Sequence, residues 1–313
     1  MSAASAFHAG ERAVQERVGV DQQMAQIGPR VIRSYMPEQH RELLSRLPFI
    51  LAGTVDAQGQ PWASVLAGEV GFVESPDPRQ LLIDARPLPH DPLNDTLVDG
   101  APIGLLSIQP HTRRRNRVNG TVQLRPEGIG VVVGQSFGNC PKYIQAREPS
   151  FVHGTPAGRL AYEGTELDDA ARRLITQADT YFIATAHPRA LEGGDTRQGA
   201  DVSHRGGRPG FVKVQGDTLT VPDFAGNNFF NTLGNIASNP RAGLLFMDFD
   251  NGDVLYVAVR ASIVWDGSEL DGFDGAQRLV KMDVTQVRRV EDGLPLRWGA
   301  AELSPYLPMG EWP

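Results

Sequence analysis

The 313 residues, 41% hydrophobic and 21% charged, have the balance of a globular protein with room for one large core or two ordinary ones, which excludes a disordered chain. A net charge of −7 argues against broad attraction to nucleic acid or to an anionic membrane surface, so an anionic ligand needs a local cluster of donors. One cysteine, Cys140, excludes an intrachain disulfide framework and a thiolate-rich metal site, and makes the reducing cytoplasm the expected compartment.

The chain opens Met1-Ser2-Ala3-Ala4-Ser5-Ala6-Phe7-His8, without the basic-then-apolar order of an export signal, and no later stretch approaches about 18 uncharged apolar residues, so neither export nor membrane spanning is expected. In an N-terminal segment, 1–47, Val14, Val18, Met24, Ile27 and Val31 recur at roughly helical intervals, broken at Pro29 and Pro37, which predicts two or three short helices. A β-rich region, 48–150, follows. Phe49–Val55 and Pro61–Leu66 flank the turn Asp56-Ala57-Gln58-Gly59-Gln60 as a hairpin, and further strands are expected at Leu81–Asp84, Ile103–Ile108, Arg117–Val122 and Gly130–Val133. A linker, 151–178, passes Gly154-Thr155-Pro156 and carries a helix at Asp168–Ile175, acidic at its start and basic later as the helix dipole favours. A second β-rich region, 179–293, repeats the first: Phe182–Ala186 answers Phe49–Val55, Gly210–Val214 answers Trp62–Leu66, and Leu219–Asp223 answers Leu81–Ala85. The clearest echo sets Pro102-Ile103-Gly104-Leu105-Leu106 against Arg241-Ala242-Gly243-Leu244-Leu245, each preceded by a helix-compatible stretch, Asp91–Asp99 and Asn227–Ser238. The tail, 294–313, is proline-rich and expected to pack as an extended cover. Strand runs punctuated by Gly and Pro point to a mainly β fold with peripheral helices, a barrel or sandwich in each half.

Gly199–Val212, with Ser203-His204-Arg205-Gly206-Gly207-Arg208 at its centre, then Val221–Asn228 and Leu233–Arg241, resembles the flavin-nucleotide-binding proteins of the pyridoxamine 5′-phosphate oxidase-like superfamily. The resemblance extends to Thr112–Gly120 and Ser136–Gln145, and so to nearly all of the chain up to Trp298. It implies two tandem split β-barrels with FMN at a barrel junction. The end of the chain, Leu296-Arg297-Trp298-Gly299-Ala300-Ala301-Glu302-Leu303-Ser304-Pro305, lacks the Arg-Leu-Ala-Pro-like terminus of the genuine oxidases, so the vitamin substrate is not expected.

FMN presents a dianionic phosphate, a ribityl chain and a planar ring. Ser203, His204 and Arg205 offer a hydroxyl, an imidazole and a guanidinium, Gly206 lets the backbone approach, and Arg208 adds a cation, which together fit a phosphate clasp. Asn227 and Asn228 stand before the expected second helix as capping amides. By the same resemblance Pro222 and Asp223 lie beside the ring or ribityl chain, Asp223 accepting its hydroxyls. The resemblance also admits NADPH or NADH, a small-molecule substrate and a homodimer.

Arg113, Arg115 and Arg117 alternate to one side of an expected strand, as an anion pocket or as a solvated edge. The clasp segment makes Arg205 the stronger expected contributor to FMN retention, with Arg115 a minor one. Cys140 is expected to be inert in preference to catalytic. Gly134-Gln135-Ser136-Phe137-Gly138 matches a nucleophile elbow after a Val-Val-Val strand, the signature of a serine hydrolase, but hairpins surround it where parallel strand–helix units belong. The seven histidines show no zinc spacing. The sequence therefore reads as an FMN-dependent oxidoreductase, with a non-catalytic binder of flavin, haem or deazaflavin as the alternative and a hydrolase using Ser136 as a remote one.

Overall fold

A computed structural model of the chain describes residues 5–126, 128–152 and 157–312. Gly154, Thr155 and Pro156 of the expected linker lie outside the described residues. Three short helices, α1 (Ala9–Arg17), α2 (Asp21–Val31) and α3 (Glu38–Leu44), open the fold. His8 caps α1 by accepting from the Gly10 N–H at 3.1 Å, while Glu11 returns to the His8 N–H at 2.8 Å. Pro37 stands at the N-cap of α3, but Pro29 lies inside α2 and does not break it where the sequence suggested. Only two residues separate it from the end of α2, so the helix stops before much of its hydrogen bonding is lost.

Seven antiparallel strands follow: β1 (Phe49–Val55), β2 (Pro61–Ala67), β3 (Val73–Glu74), β4 (Gln80–Ile83), β5 (Pro102–Gln109), β6 (Arg114–Arg125) and β7 (Gly128–Gly138), with α4 (Leu93–Thr96) before β5. Their order in the sheet is β2-β1-β5-β6-β7-β4-β3. After β8 (Pro149–Phe151), β9 (Arg159–Gly164) and α5 (Asp169–Gln177) comes a second sheet. It contains β10 (Thr180–Ala186), β11 (Ala200–Gly206), β12 (Lys213–Gln215), β13 (Thr218–Asp223), β14 (Arg241–Met247), β15 (Val254–Val264) and β16 (Arg278–Glu291). Helix α6 (Asn231–Ser238) precedes β14 and α7 (Ser268–Asp271) precedes β16. The order β11-β10-β14-β15-β16-β13-β12 repeats that of the first sheet, with β9 added against β16. The tail returns as β17 (Leu296–Trp298) to pair with β8.

The fold is thus mainly β with peripheral helices, but both sheets are open: among the described residues the end strands β2 and β3, or β11 and β12, do not pair with each other. Closed barrels are not what these pairings give. The repeat also differs in one assignment. The equivalent of β2 in the second sheet is β11, not Gly210–Val214. Asp201-Val202-Ser203-His204-Arg205 lacks an apolar alternation because Asp201, Ser203 and Arg205 make one face polar and His204 interrupts the other, so its sequence does not predict a strand.

The sheets meet through a pair of equivalent glycines. A Cβ on Gly104 of β5 would lie 2.6 Å from the Ala200 carbonyl oxygen, and one on Gly243 of β14 would lie 2.2 Å from that of Pro61. Backbone is the obstacle in both places, so neither neighbour can rotate away. Gly243→Ala is expected to lower stability by about 1 to 3 kcal/mol through overpacking, measured by urea denaturation. Gly299→Ala, with open space around it, serves as the control and should stay within about 0.5 kcal/mol. Around these contacts one apolar cluster joins Phe49, Leu51, Trp62 and Val65 to Phe182, Val202, Leu245 and Tyr256, sealed by Leu296 and Trp298, while each sheet keeps a further core of its own.

Candidate functional site

A pocket opens between β6 and the loop after β7 on one side, and β11, the end of β13 and the approach to α6 on the other. Its cavity volume is about 110 Å³, below the range of about 300 to 1,000 Å³ usual for small-molecule sites, and it widens into a mouth open to solvent. Ser203, His204, Arg205, Gly206, Pro222, Asp223, Asn227 and Asn228 line it. So do Arg115, Arg117, Cys140 and Tyr143 from the first half.

Strand alternation sorts the clasp residues. Ser203 and Arg205 share one face of β11, and His204 takes the other, its ring 5.7 Å from that of Phe182. Burial, with Arg115, Arg205 and Arg147 nearby, pushes His204 well below its ordinary value. The imidazole is therefore neutral and lies on the far face, so of the three residues expected to act together Ser203 and Arg205 share a face and His204 does not. Gly206 is required for another reason: a Cβ there would fall 2.0 Å from the Tyr143 carbonyl oxygen, where the loop from the first half crosses β11. Arg208 lies outside the pocket, in a neighbouring cleft lined by Phe211, Phe224, Phe273 and Trp312, with its guanidinium 3.2 Å from the Met309 sulfur.

The first half contributes two arginines to the pocket. Arg115 and Arg117 point from one face of β6, whereas Arg113 precedes the strand in a left-handed conformation (φ 53°) and turns to Ile144 and Glu302. Arg117 is 3% exposed and donates to Asp201 at 3.1 Å, to Asn231 at 2.9 Å and to the Ser203 hydroxyl. Its Nε is buried without a partner among the described residues. Arg115 donates to the Cys140 and His204 carbonyls at 2.7 and 3.2 Å. Burial pushes it down to about 10, with Arg117 and Arg205 adding repulsion, so it remains a cation at neutral pH. Arg205 donates to Asp223 at 2.6 Å, and Arg278 stands 3.6 Å from the other carboxylate oxygen.

The opposite wall is aromatic and strained. Tyr143 (φ 66°) packs 5.2 Å from Phe224 and donates to the Ala225 carbonyl at 2.8 Å. Asn228 and Phe230 also hold positive φ, 60° and 59°, in the turn that enters α6. Phe230, not Asn227 or Asn228, occupies the N-cap position, so the two amides are not caps. Asn227 instead reaches Asn139 at 3.3 Å and accepts from the Phe229 N–H at 3.2 Å.

Behind the pocket lies a buried polar junction. Asp201 gathers Arg117, Asn119 at 2.7 Å and Asn235 at 3.2 Å, and Asn231 reaches Glu11 of α1. Burial, reinforced by Asp201, pushes Glu11 up to about 8. His8 Nε2 lies 3.6 Å from Glu11, but burial and His187 push that imidazole down to about 4, so the two are neutral together near pH 7 and form no ion pair.

Ser136 is fully buried within β7 of an antiparallel sheet, 2.9 Å from His40 Nδ1, and lines neither the pocket nor the cleft beside it. A nucleophile elbow needs an exposed serine on a strand-to-helix turn of a parallel sheet, so the hydrolase reading is overturned. No group of three or more potential metal ligands occurs, and no helix is long and apolar enough to cross a membrane, both among the described residues.

No protein-family model matches the chain, and no curated protein does. Among solved structures it is similar to HupZ of Group A Streptococcus, at 12% identity and a TM-score of 0.32 over 41% of this chain and 98% of that one. A candidate pyridoxamine 5′-phosphate oxidase of Lactobacillus delbrueckii matches at 14% identity and 0.30, over 40% and 94% of the two chains. An FAD-binding protein of Mesorhizobium loti matches at 12% identity and 0.28, over 40% and 96%.

Proposed function

We propose that the pocket holds FMN and that the chain is an FMN-dependent oxidoreductase of the cytoplasm, each sheet standing for one half of a split-barrel pair. The observation that carries this reading is the convergence of Arg115, Arg117 and Arg205 on one pocket of a net-acidic chain, answered there by Asp223 and from behind by Asp201. Three guanidiniums within mutual reach repel one another, and a dianionic phosphate relieves that repulsion through charge-assisted hydrogen bonds. Tyr143, Phe224 and Phe230 provide the apolar surface that a planar ring needs.

The residues fit the group: guanidiniums and a hydroxyl for the phosphate, amides of Asn139, Asn227 and Asn228 for the ribityl hydroxyls, aromatic faces for the ring. Bound FMN supplies a hydride acceptor and donor; the chain's share is to bind it, orient it and exclude water. Because residues of both halves line the pocket, a second copy of the chain is not needed to complete it. The departing C-terminal sequence argues for a substrate other than pyridoxamine phosphate, with NADPH or NADH as reductant.

Heating the purified protein is expected to release FMN and no FAD, since the pocket's cations are grouped for one terminal phosphate; chromatography of the supernatant decides, and FAD or haem alone would refute the assignment. Bleaching of the bound flavin by NADPH or NADH then separates an oxidoreductase from a carrier that ignores both.

A further inference from the structure

The two sheets repeat residue by residue, and strand pairing fixes the correspondence. Gly104 faces Gly53 and Asn119, and Gly243 faces Ala184 and Ala258. Following the same ladders, Ser203 of β11 corresponds to Ser64 of β2, and Arg205 to Leu66. Arg117 and Arg115 of β6 correspond to Tyr256 and Val254 of β15. In the helices, Thr96 bonds Thr54 at 2.6 Å as Asn235 bonds Thr185 at 3.1 Å, which sets Leu93 against Thr232. The pocket built from β11, α6 and β6 therefore has a counterpart built from β2, α4 and β15.

That counterpart is filled from within. The Asp91 carboxylate, fully buried, accepts from the Ser64 hydroxyl at 2.5 Å, the Tyr256 hydroxyl at 2.9 Å and the Leu93 N–H at 2.8 Å. Its three donors stand where the pocket has Ser203, Arg117 and the Thr232 N–H in the first turn of α6. Where the pocket has Arg115 and Arg205, the counterpart has the buried apolar Val254 and Leu66. Among the described residues no carboxylate takes the place of Asp91 in the pocket: Ser203 turns to Arg117 and to Thr232 at 3.0 Å, and Arg117 Nε is left without a partner.

We infer that the chain binds one anionic ligand, not two, and that the ligand's phosphate takes the place among Ser203, Arg117 and the Thr232 N–H that Asp91 takes among Ser64, Tyr256 and the Leu93 N–H. This rests on the reading of the pocket as a phosphate site and adds its stoichiometry and its donors. The internal carboxylate occupies one of two related positions permanently, and the other keeps its donors for an external anion with two further cations suited to the higher charge of a phosphate.

The test titrates FMN and riboflavin, which differ by the phosphate alone, into the apoprotein and into Ser203→Ala and Ser64→Ala. One FMN per chain is expected. Ser203→Ala should reduce the preference for FMN over riboflavin about tenfold or more, the effect of one hydrogen bond to a charged group, while Ser64→Ala leaves that preference within about twofold. Two FMN per chain, or an unchanged preference in Ser203→Ala, overturns the inference. If neither flavin binds, the FMN reading fails by itself, and phosphorus NMR titration with inorganic phosphate decides this one. A single phosphate weakened by Ser203→Ala upholds it; two phosphates, none, or one indifferent to the substitution overturns it.

Discussion

Arg205→Ala is expected to weaken FMN binding by at least about thirtyfold. Removing one partner of an enclosed ion pair typically costs on the order of 2 to 5 kcal/mol, and each 1.4 kcal/mol is about tenfold. The loss has two sources here. The phosphate loses a guanidinium, and Asp223, only 6% exposed, loses the partner at 2.6 Å that neutralised it, leaving Arg278 at 3.6 Å as its nearest cation. The double variant Arg205→Ala, Asp223→Asn should therefore recover part of the affinity, which a simple loss of one contact would not give. Arg115→Ala is expected to rank with Arg205→Ala and not within about fivefold of the parent as the sequence suggested, because Arg115 lines the same pocket and ties Cys140 to His204. Fluorescence titration of FMN at fixed salt measures all three, and a parent-like affinity for Arg205→Ala would place the phosphate elsewhere.

Glu11→Gln is expected to make the protein far more stable than its parent in alkaline solution and little different in acid. In the unfolded chain Glu11 ionises near the ordinary 4.5; in the folded protein burial beside Asp201 holds the proton up to about 8. The folded state thus carries the extra proton, its advantage is complete below pH 4.5, and it is lost as pH rises to about 8. At about 1.4 kcal/mol for each pH unit of difference, the loss is on the order of 5 kcal/mol. Glutamine keeps the capping interaction with the His8 N–H and cannot ionise. Asp91, pushed up to about 6 by burial, adds a loss of the same sign in both proteins, so the difference between them isolates Glu11. Urea denaturation at pH 5 and pH 9 is the measurement, and a constant difference between parent and variant would show that Glu11 ionises normally in the fold.

What the sequence made legible was local. The hairpin at Phe49–Leu66 and the echo of Ile103–Leu106 in Ala242–Leu245 follow from turn chemistry and apolar alternation, which are written in consecutive residues. The second-half lining of the pocket, Ser203 to Gly206 and Pro222 to Asn228, was legible through resemblance. Its geometry was not. A cluster of three consecutive polar residues reads as one clasp, but on a strand it divides between two faces, and His204 goes to the one opposite Ser203 and Arg205. Arg115 and Arg117 could be recognised as sharing a face, yet nothing local tells an anion pocket from a solvated edge when the deciding partner, Asp201, is 84 positions away. Asn231, Thr232 and Tyr143 were missed for the same reason. A buried polar junction is assembled across the interface between halves, and its members carry ordinary polar side chains with no periodic signature.

The apolar cluster shared by the sheets has a consequence for how the chain comes into being. It draws on residues from Phe49 to Trp298, and the contacts beside it, such as Gln60 to the Ala242 carbonyl across 182 positions, close loops nearly as long as a small protein. At about 5 to 20 residues added per second, the first sheet emerges from the ribosome on the order of ten seconds before the strands that cover it. During that interval Phe49, Leu51 and Val65 face water, and the wait is longest for the tail residues Leu296 and Trp298 that seal the cluster. The nascent chain is accordingly at its most vulnerable to misassembly while half-made, and a holding chaperone would find its binding surface on the face of β1 and β2 that the second sheet later covers.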